Sequence, residues 1–576
     1  RSVLRAGLLV CTALFGVWPV LASAQTTAKK DSAPAALEPS AKDDTVVLSP
    51  FVVSTDKDEG YRATNSISGT RLDTAIKDTP MPIEVITRTF LEDTGATDLR
   101  SALKYSSGII LQSQNDLSNR GAGAYQGPGG VNNPEGATAN PNAVQIKLRG
   151  FVTDNALRDG FIRQNSTDSV NVERVEVVRG PAALLYGTGN FGGVVNYLTK
   201  RPANNRSESV DVTVGMFGLF RGQFDVTGPI DADKTLAYRV TGAAQKSEDS
   251  TDYFKEKHYF VSPSLSWKAT AKTDVYLDFE YGEQDTSGIG ARRLRSVAGQ
   301  AVGGVGLNND QNEHGGLYTP PGADPRSYRV TGPDTYLNSQ AANTEFKITQ
   351  QLFKDLYLLV GYNHSAFNFQ QRDVNAQLFV NEGPVALRQT IQLSPFSPVG
   401  DGSLSFLTGT VPNSILKYNW TRLDQDVTRD QERVELTDKF TLFEGRSKWL
   451  RFSSQVLAGY SELRNDVTRN NWVTAPGAFS YKAPNDLTPL RFGQQGDGTA
   501  DPGMYQNNVH GDTAWNKAFY LSYSGSFLDD RLTVLVGGRK DTNDASNTDV
   551  NWANPGATPT TSALRGDGQS QKTYQK

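Results

Sequence analysis

The sequence predicts a transmembrane antiparallel β-barrel preceded by a small α/β domain, and three observations carry that reading. From about residue 207 onward, apolar and polar residues alternate with period two. Short connections between those segments alternate with long polar ones. Upstream, residues 60–202 mix strand-like and helix-like segments instead.

The alternation is direct. Val210, Val212, Val214 and Met216 alternate with Asp211, Thr213 and Gly215. Val275, Leu277, Phe279 and Tyr281 alternate with Asp274, Tyr276, Asp278 and Glu280. Leu521, Tyr523 and Phe527 alternate with Ser522, Ser524 and Ser526. One apolar face and one polar face suit a barrel strand in lipid. A soluble sandwich alternates too. Two features favour the barrel. The segments run to about 10 residues, enough to cross a bilayer obliquely. Aromatic pairs such as Tyr259-Phe260 and Phe519-Tyr520 stand at segment ends, where an interfacial girdle belongs. Ala232-Asp233 and Asp529-Asp530 read as tight turns, whereas 283–341, 368–430 and 464–515 read as long loops. Roughly eleven or twelve strands are expected.

Composition agrees. The hydrophobic fraction is only 37%, yet there are 54 glycines and 10% aromatics. A helical membrane protein needs apolar runs of about 20 residues, and none follows the first 25. A net charge of −4 gives no reason to expect a nucleic-acid partner. Residues 1–24 read as a signal peptide: Arg1 and Arg5, an apolar run to Leu21, then Ala22-Ser23-Ala24. The sole cysteine, Cys11, lies inside it, so no disulfide or thiol chemistry is expected in the mature chain. His258, His314, His364 and His510 show no metal-ligand spacing. No nucleophile elbow, H-E-x-x-H or P-loop is present, so no metal site, cofactor or enzyme activity is expected.

Residues 25–59 read as a disordered tail. Inside it, Asp44-Thr45-Val46-Val47-Leu48-Ser49-Pro50-Phe51-Val52-Val53 is a short β-prone segment between polar stretches. It reads either as an edge strand of the next domain or as a strand reserved for a partner by β-augmentation. In the α/β domain, Ile83–Ile86 reads as a strand, Thr87 or Thr89 as the cap of a helix around Phe90–Thr94, and Thr97–Tyr105 as a second helix buried through Leu99, Ala102 and Leu103. Gly108–Leu111 and Val144–Phe151 read as further strands. Gln112–Asn142 is a long polar insert, of a length that is usually functional or disordered.

Residues 172–202, VERVEVVRGPAALLYGTGNFGGVVNYLTKRP, hold the densest signal. Gly187-Thr188-Gly189-Asn190-Phe191-Gly192 satisfies G-x-G-x-x-G, but a dinucleotide site needs a helix opening at those glycines. Val194-Val195-Asn196-Tyr197-Leu198-Thr199 follows instead and reads as a strand. This run, with I-x-V-I-T at 83–87, I-K-L-R-G-F at 146–151 and R-D-G-F at 158–161, resembles in order the plug domain of TonB-dependent outer-membrane receptors, most closely the ferric-siderophore branch. The resemblance implies a plug (60–204) inside a barrel (205–576) of 22 strands when complete, so about half are present. The chain ends Thr573-Tyr574-Gln575-Lys576 without the family's terminal aromatic, as expected of an incomplete barrel.

The resemblance also implies active import of a ferric siderophore across the outer membrane of a Gram-negative-type bacterium, with TonB, outer-membrane lipid and the siderophore complex as partners. Iron would be cargo rather than a protein-bound cofactor. Asp44–Val53 then matches the TonB box. Arg149 and Arg179 resemble arginines that the family sets against barrel-wall carboxylates, with Glu280, Glu432 and Glu435 as candidate partners. For cargo, Arg120, Tyr125 and Gln126 of the insert, with Arg163 and Gln164 after R-D-G-F, offer donors to anionic oxygens. Import of another nutrient, such as an oligosaccharide or cobalamin, is the alternative; a non-transport secreted β-rich protein is the other.

Overall fold

The computed structural model describes residues 50–52, 58–111, 146–149, 151–153, 156–163, 168–180, 183–187 and 192–289. Beyond these it describes 294–295, 317–318, 322–324, 326–329, 331–381, 414–442, 452–474, 480–482, 487–492, 504–528, 531–551, 560–563 and 573–574. The signal segment, most of the expected TonB box and the Gln112–Asn142 insert lie outside the described residues.

The α/β domain is built on a five-stranded sheet in the order Ile83–Thr87, Val172–Arg179, Gly193–Thr199, Ala156–Arg158, Phe161–Arg163. Three of its strand contacts are antiparallel, and Gly193–Thr199 runs parallel to Ala156–Arg158. Thr87 caps the helix Arg88–Asp93. Asp98 and Ser101 form a capping box on the helical turn Leu99–Ala102, which satisfies orphan backbone donors. Leu91, Leu99, Ala102 and Leu103 pack with Val175, Val177 and Tyr197 into one core. The expected strand Val144–Phe151 is instead a hairpin. Ile146–Leu148 turns at Arg149, with φ at 52°, and pairs back with Phe151–Thr153.

The G-x-G-x-x-G run leads into a strand, as the β-branched residues after it require. Gly193 pairs with Arg179 at φ 135°, and a Cβ there would stand 2.0 Å from the Val178 carbonyl. Gly193→Ala therefore strains the backbone and clashes with a core strand together, at about 3 kcal/mol or more. The expected result is a sharply lower yield of folded protein in the outer membrane and a lower melting temperature for what remains. An unchanged melt would refute this.

Apart from a separate pair, Leu294–Arg295 with Leu317–Tyr318, the described strands from Ser207 onward form one antiparallel sheet. Its long strands are Ser207–Val214, Phe220–Pro229, Leu236–Glu248, Lys255–Thr270, Thr273–Ser287, Tyr336–Gln351, Leu356–Asn381, Ser414–Leu442, Phe452–Thr474, Met504–Phe527 and Leu532–Asn551, each paired with the next in chain order. The burial pattern inverts that of a soluble protein. Asp278 and Glu345 are fully buried on the inner face, while Leu521 and Val536 are more than half exposed on the outer one. Apolar residues outward and polar residues inward is what lipid outside and a polar interior demand. No described helix is long and apolar enough to cross a membrane.

Two expectations change here. The strands are longer than anticipated, up to the 29 residues of Ser414–Leu442, so much of the expected loops 368–430 and 464–515 is strand. The apolar face lapses in runs such as Gln370-Gln371-Arg372-Asp373, which removes the alternation that marks a strand in lipid. The aromatic pairs also divide. Tyr259 and Phe519 are exposed on the outside, whereas Phe260 and Tyr520 are buried inside. Adjacent residues of a strand point to opposite faces, so only one of each pair can join a girdle.

Candidate functional site

The plug and the barrel wall meet through buried charge. Ala156–Arg158 and Phe161–Arg163 are joined by Asp159-Gly160 alone, with Arg158 paired to Phe161. Both loop residues have positive φ, 50° and 84°. Asp-Gly in this conformation is the two-residue hairpin turn that matches strand twist. The R-D-G-F motif is therefore a hairpin tip, and it pushes its arginine into the wall.

Arg158 is 1% exposed. Its Nε donates to Glu280 Oε2 at 3.2 Å, its Nη1 to Glu345 Oε2 at 3.0 Å, and its Nη2 to Asp278. Arg163 Nη2 donates to the other Glu280 oxygen at 2.5 Å. Beside them the Ile162 N–H donates to Gln431 Oε1, and Gln431 Nε2 donates back to the Ile162 carbonyl, both at 2.8 Å. Phe161 lies between Lys347 and Arg433, 5.2 and 4.7 Å from its ring centroid. Burial alone would raise the Asp159 carboxyl, but Arg201, Lys347 and Arg158 outweigh it and hold it at about 2. It is therefore charged throughout the neutral range.

Two further seats flank the hairpin. Arg71, at φ 64°, is buried and donates to Glu435, to the Tyr520 hydroxyl at 2.7 Å and to the Leu185 carbonyl. Tyr520 also donates to Glu435 at 2.6 Å. On the opposite flank Arg221 of the wall grips Asp168 of the plug in a bidentate pair at 2.6 and 2.9 Å. Nearby, Lys200 Nζ donates to Asp225 at 2.7 Å.

These seats correct the expected anchors. Arg179 pairs within the plug, with Glu84, the Ser107 carbonyl and the Ser106 hydroxyl. Arg149 is exposed on the hairpin turn, where its backbone N–H donates to the Gly108 carbonyl. Both precede a glycine at a strand end, and the hydrogen bonds of Arg179 stay within the plug. Of the candidate acids, Glu280 and Glu435 do receive plug arginines, namely Arg158, Arg163 and Arg71. Glu432 is exposed on the outer face, three residues from the inward Glu435 and so on the opposite side of the strand. Arg163 is corrected as well: it is 3% exposed and bound to Glu280, which removes it from the cargo loops. Arg120, Tyr125, Gln126 and Gln164 lie outside the described residues. Sequence reasoning missed Arg71, Arg158, Asp168 and Lys200. R-D-G-F was a usable signal for Arg158, and the end of the 172–202 run for Lys200; Arg71 and Asp168 stand in no motif.

The tail is partly docked. Pro50, Phe51 and Val52 are the described part of the expected TonB box. Phe51 is buried in an apolar cluster with Leu72, Leu185 and Tyr186, and the Asp73 N–H donates to the Pro50 carbonyl at 2.7 Å. Asp58, also expected in the disordered tail, accepts from Arg174 at 3.1 Å. Among the described residues no group of three or more His, Cys, Asp or Glu side chains could hold a metal ion.

The family profile of the TonB-dependent Receptor Plug Domain matches residues 75–194, a span that contains the R-D-G-F hairpin and four of the five sheet strands and ends at the start of the fifth, Gly193–Thr199. Residues 75–194 are thus a TonB-dependent receptor plug domain. The chain is 33% identical over 222 residues to the metal-pseudopaline receptor CntO of Pseudomonas aeruginosa, an alignment covering 38% of this chain and 29% of that one. It is 30% identical over 251 residues to the ferrioxamine B receptor of Salmonella typhimurium, covering 41% and 32%. The match to the ferrichrome outer membrane transporter/phage receptor of Escherichia coli is 27% over 292 residues, covering 49% and 36%. The matches thus span about a third of the curated relatives' own length. In fold, the chain is similar to the pyoverdine outer membrane receptor FpvA of P. aeruginosa, with a TM-score of 0.63 at 16% identity, covering 87% of this chain and 64% of that one.

Proposed function

We propose that the receptor imports a ferric siderophore across the outer membrane, driven through TonB. The observation that carries this reading is the plug's seat. The contact is mixed: Leu72, Leu157 and Leu185 of the plug pack against Leu359, Leu457 and Tyr520 of the wall, and around them stand the buried ion pairs of Arg71, Arg158, Arg163 and Asp168. Ionic and hydrogen-bonded contacts can be exchanged for water when the plug is pulled. The names of the relatives support an iron or metal chelate as cargo. Phe51, docked beside the Arg71 seat, supports the box assignment for Asp44–Val53, because tension on that segment would reach the seat directly.

Arg120, Tyr125, Gln126 and Gln164 remain the proposed cargo contacts, now without Arg163. Purified receptor titrated with ferrioxamine B, ferrichrome, a metal–pseudopaline complex, vitamin B12 and oligosaccharides tests the cargo class. Arg120→Ala with Tyr125→Ala is expected to weaken the bound iron complex about tenfold or more, as loss of a charge-assisted donor and an aromatic face implies. Folding in the membrane should not change. Tight binding of a glycan with no metal complex bound would overturn the siderophore reading and leave import intact.

A further inference from the structure

A cavity of about 470 Å³ lies in the seam between plug and wall. Its plug side includes Arg71, Asp159 and Arg201; its wall side is Arg239, Lys347 and Arg433; Phe51 and Val52 close part of its rim. It sits low in the barrel. Lys347 is four residues from the end of its strand and Arg239 three from the start of its own, at ends joined by short turns.

The lining is cationic. Five basic side chains face two acids, Asp159 and Glu173. The other acids that balance them, Asp225, Glu345 and Glu435, are bonded to these cations but are not part of the lining. Two donors make no hydrogen bond: Arg71 Nε and Arg433 Nε are buried without one, the latter 3.6 Å from Glu435 Oε2. Arg201 is stacked on the Tyr276 ring, 3.6 Å from its centroid, and its contacts to the Asp159 and Glu345 oxygens are long, at 3.8 and 3.9 Å. Buried donors without partners are costly and are normally met by water or a ligand.

We propose that this cavity is an oxyanion-accepting station on the import route, taking a carboxylate, hydroxamate or similar anionic oxygen of the metal chelate as it leaves the barrel, with Phe51 and Val52 as its movable rim. The proposal rests on the import reading above. Arg71, Arg201 and Arg433 supply the donors, and withdrawal of the Pro50–Val52 segment widens the exit.

Residues 25–576 hold no cysteine, so Asn204→Cys, at the exposed mouth, is the one thiol in a protein whose other cysteines are replaced by serine. Ala232→Cys, in an exposed turn at the same end, is the reference. An anionic methanethiosulfonate reagent should favour Asn204→Cys over its cationic counterpart by about tenfold more than it does at the reference, since clefts of one charge concentrate counter-ions by at least that factor. Arg201→Gln should cut the preference severalfold. Equal preferences at both positions would overturn the cationic station. Modified Asn204→Cys receptor should bind a ferric complex at the cell surface as before modification and import it more than tenfold more slowly. Unchanged import would take the cavity off the route. Protection of the thiol by excess inorganic phosphate, with import untouched, would assign the cavity to a free anion and likewise overturn the route. A receptor that imports no metal chelate in any form fails the import reading instead, and the charge preference is still measured.

Discussion

Arg158→Met is expected to unseat the plug. The substitution keeps the side chain's approximate length and removes the cation shared by Asp278, Glu280 and Glu345, all fully or nearly fully buried. Breaking a buried pair by removing one partner costs about 3–5 kcal/mol, and here three carboxylates lose the same partner. The barrel should still reach the outer membrane. In intact membranes the plug should become protease-sensitive, cells should admit large antibiotics, and cargo import should fall at least tenfold. Arg158→Lys restores charge but not the planar fork that reaches three acceptors, so it should fall between. A plug as resistant to protease as wild type in the Met variant would refute the assignment. Arg179→Ala, whose partners all lie within the plug, should leave antibiotic entry unchanged.

Deletion of Asp44–Val53 is expected to abolish import while surface binding of the cargo persists. The deletion removes the proposed strand for TonB and, with it, Phe51 from its apolar cluster. The two effects separate. Phe51→Ala alone should loosen the docked segment, read as faster thiol modification of Val52→Cys, and leave the partner strand available. Full import by the deletion strain would remove the box assignment. Lost surface binding would mean that the deletion damages the plug itself.

The plug was legible because its strands and turns are local. Ile83–Thr87, the Thr87 cap and the strand after Gly193 each depend on a few adjacent residues, and each lies where the sequence indicates. The barrel faces were legible for the same reason, since period two is a local rule. The seat was not. Arg149 and Arg179 look like anchors because they sit beside glycines in recognisable motifs. Whether an arginine meets the wall depends on which edge of the sheet faces it, and that is set by strands far away in sequence. Period two would have excluded Glu432 once Glu435 was taken as inward. Arg163 looked like a loop residue because the two-residue turn before it was not recognised as a hairpin tip, which places the next three residues back in a strand.

The R-D-G-F hairpin also constrains the order of assembly. The carboxylates that receive Arg158 lie 120, 122 and 187 residues further along the chain, and the acceptor of Arg71 lies 364 residues further. The plug is made first but can close its contacts only after the strands from Thr273 to Leu442 stand side by side. Contacts so distant in sequence form late. The plug must therefore wait, with its arginines hydrated, while the wall that will hold them is laid down. An early collapse onto the wrong strands would leave those acids unmatched, so the spacing of Asp278, Glu280, Glu345 and Glu435 acts as a checkpoint on correct strand order.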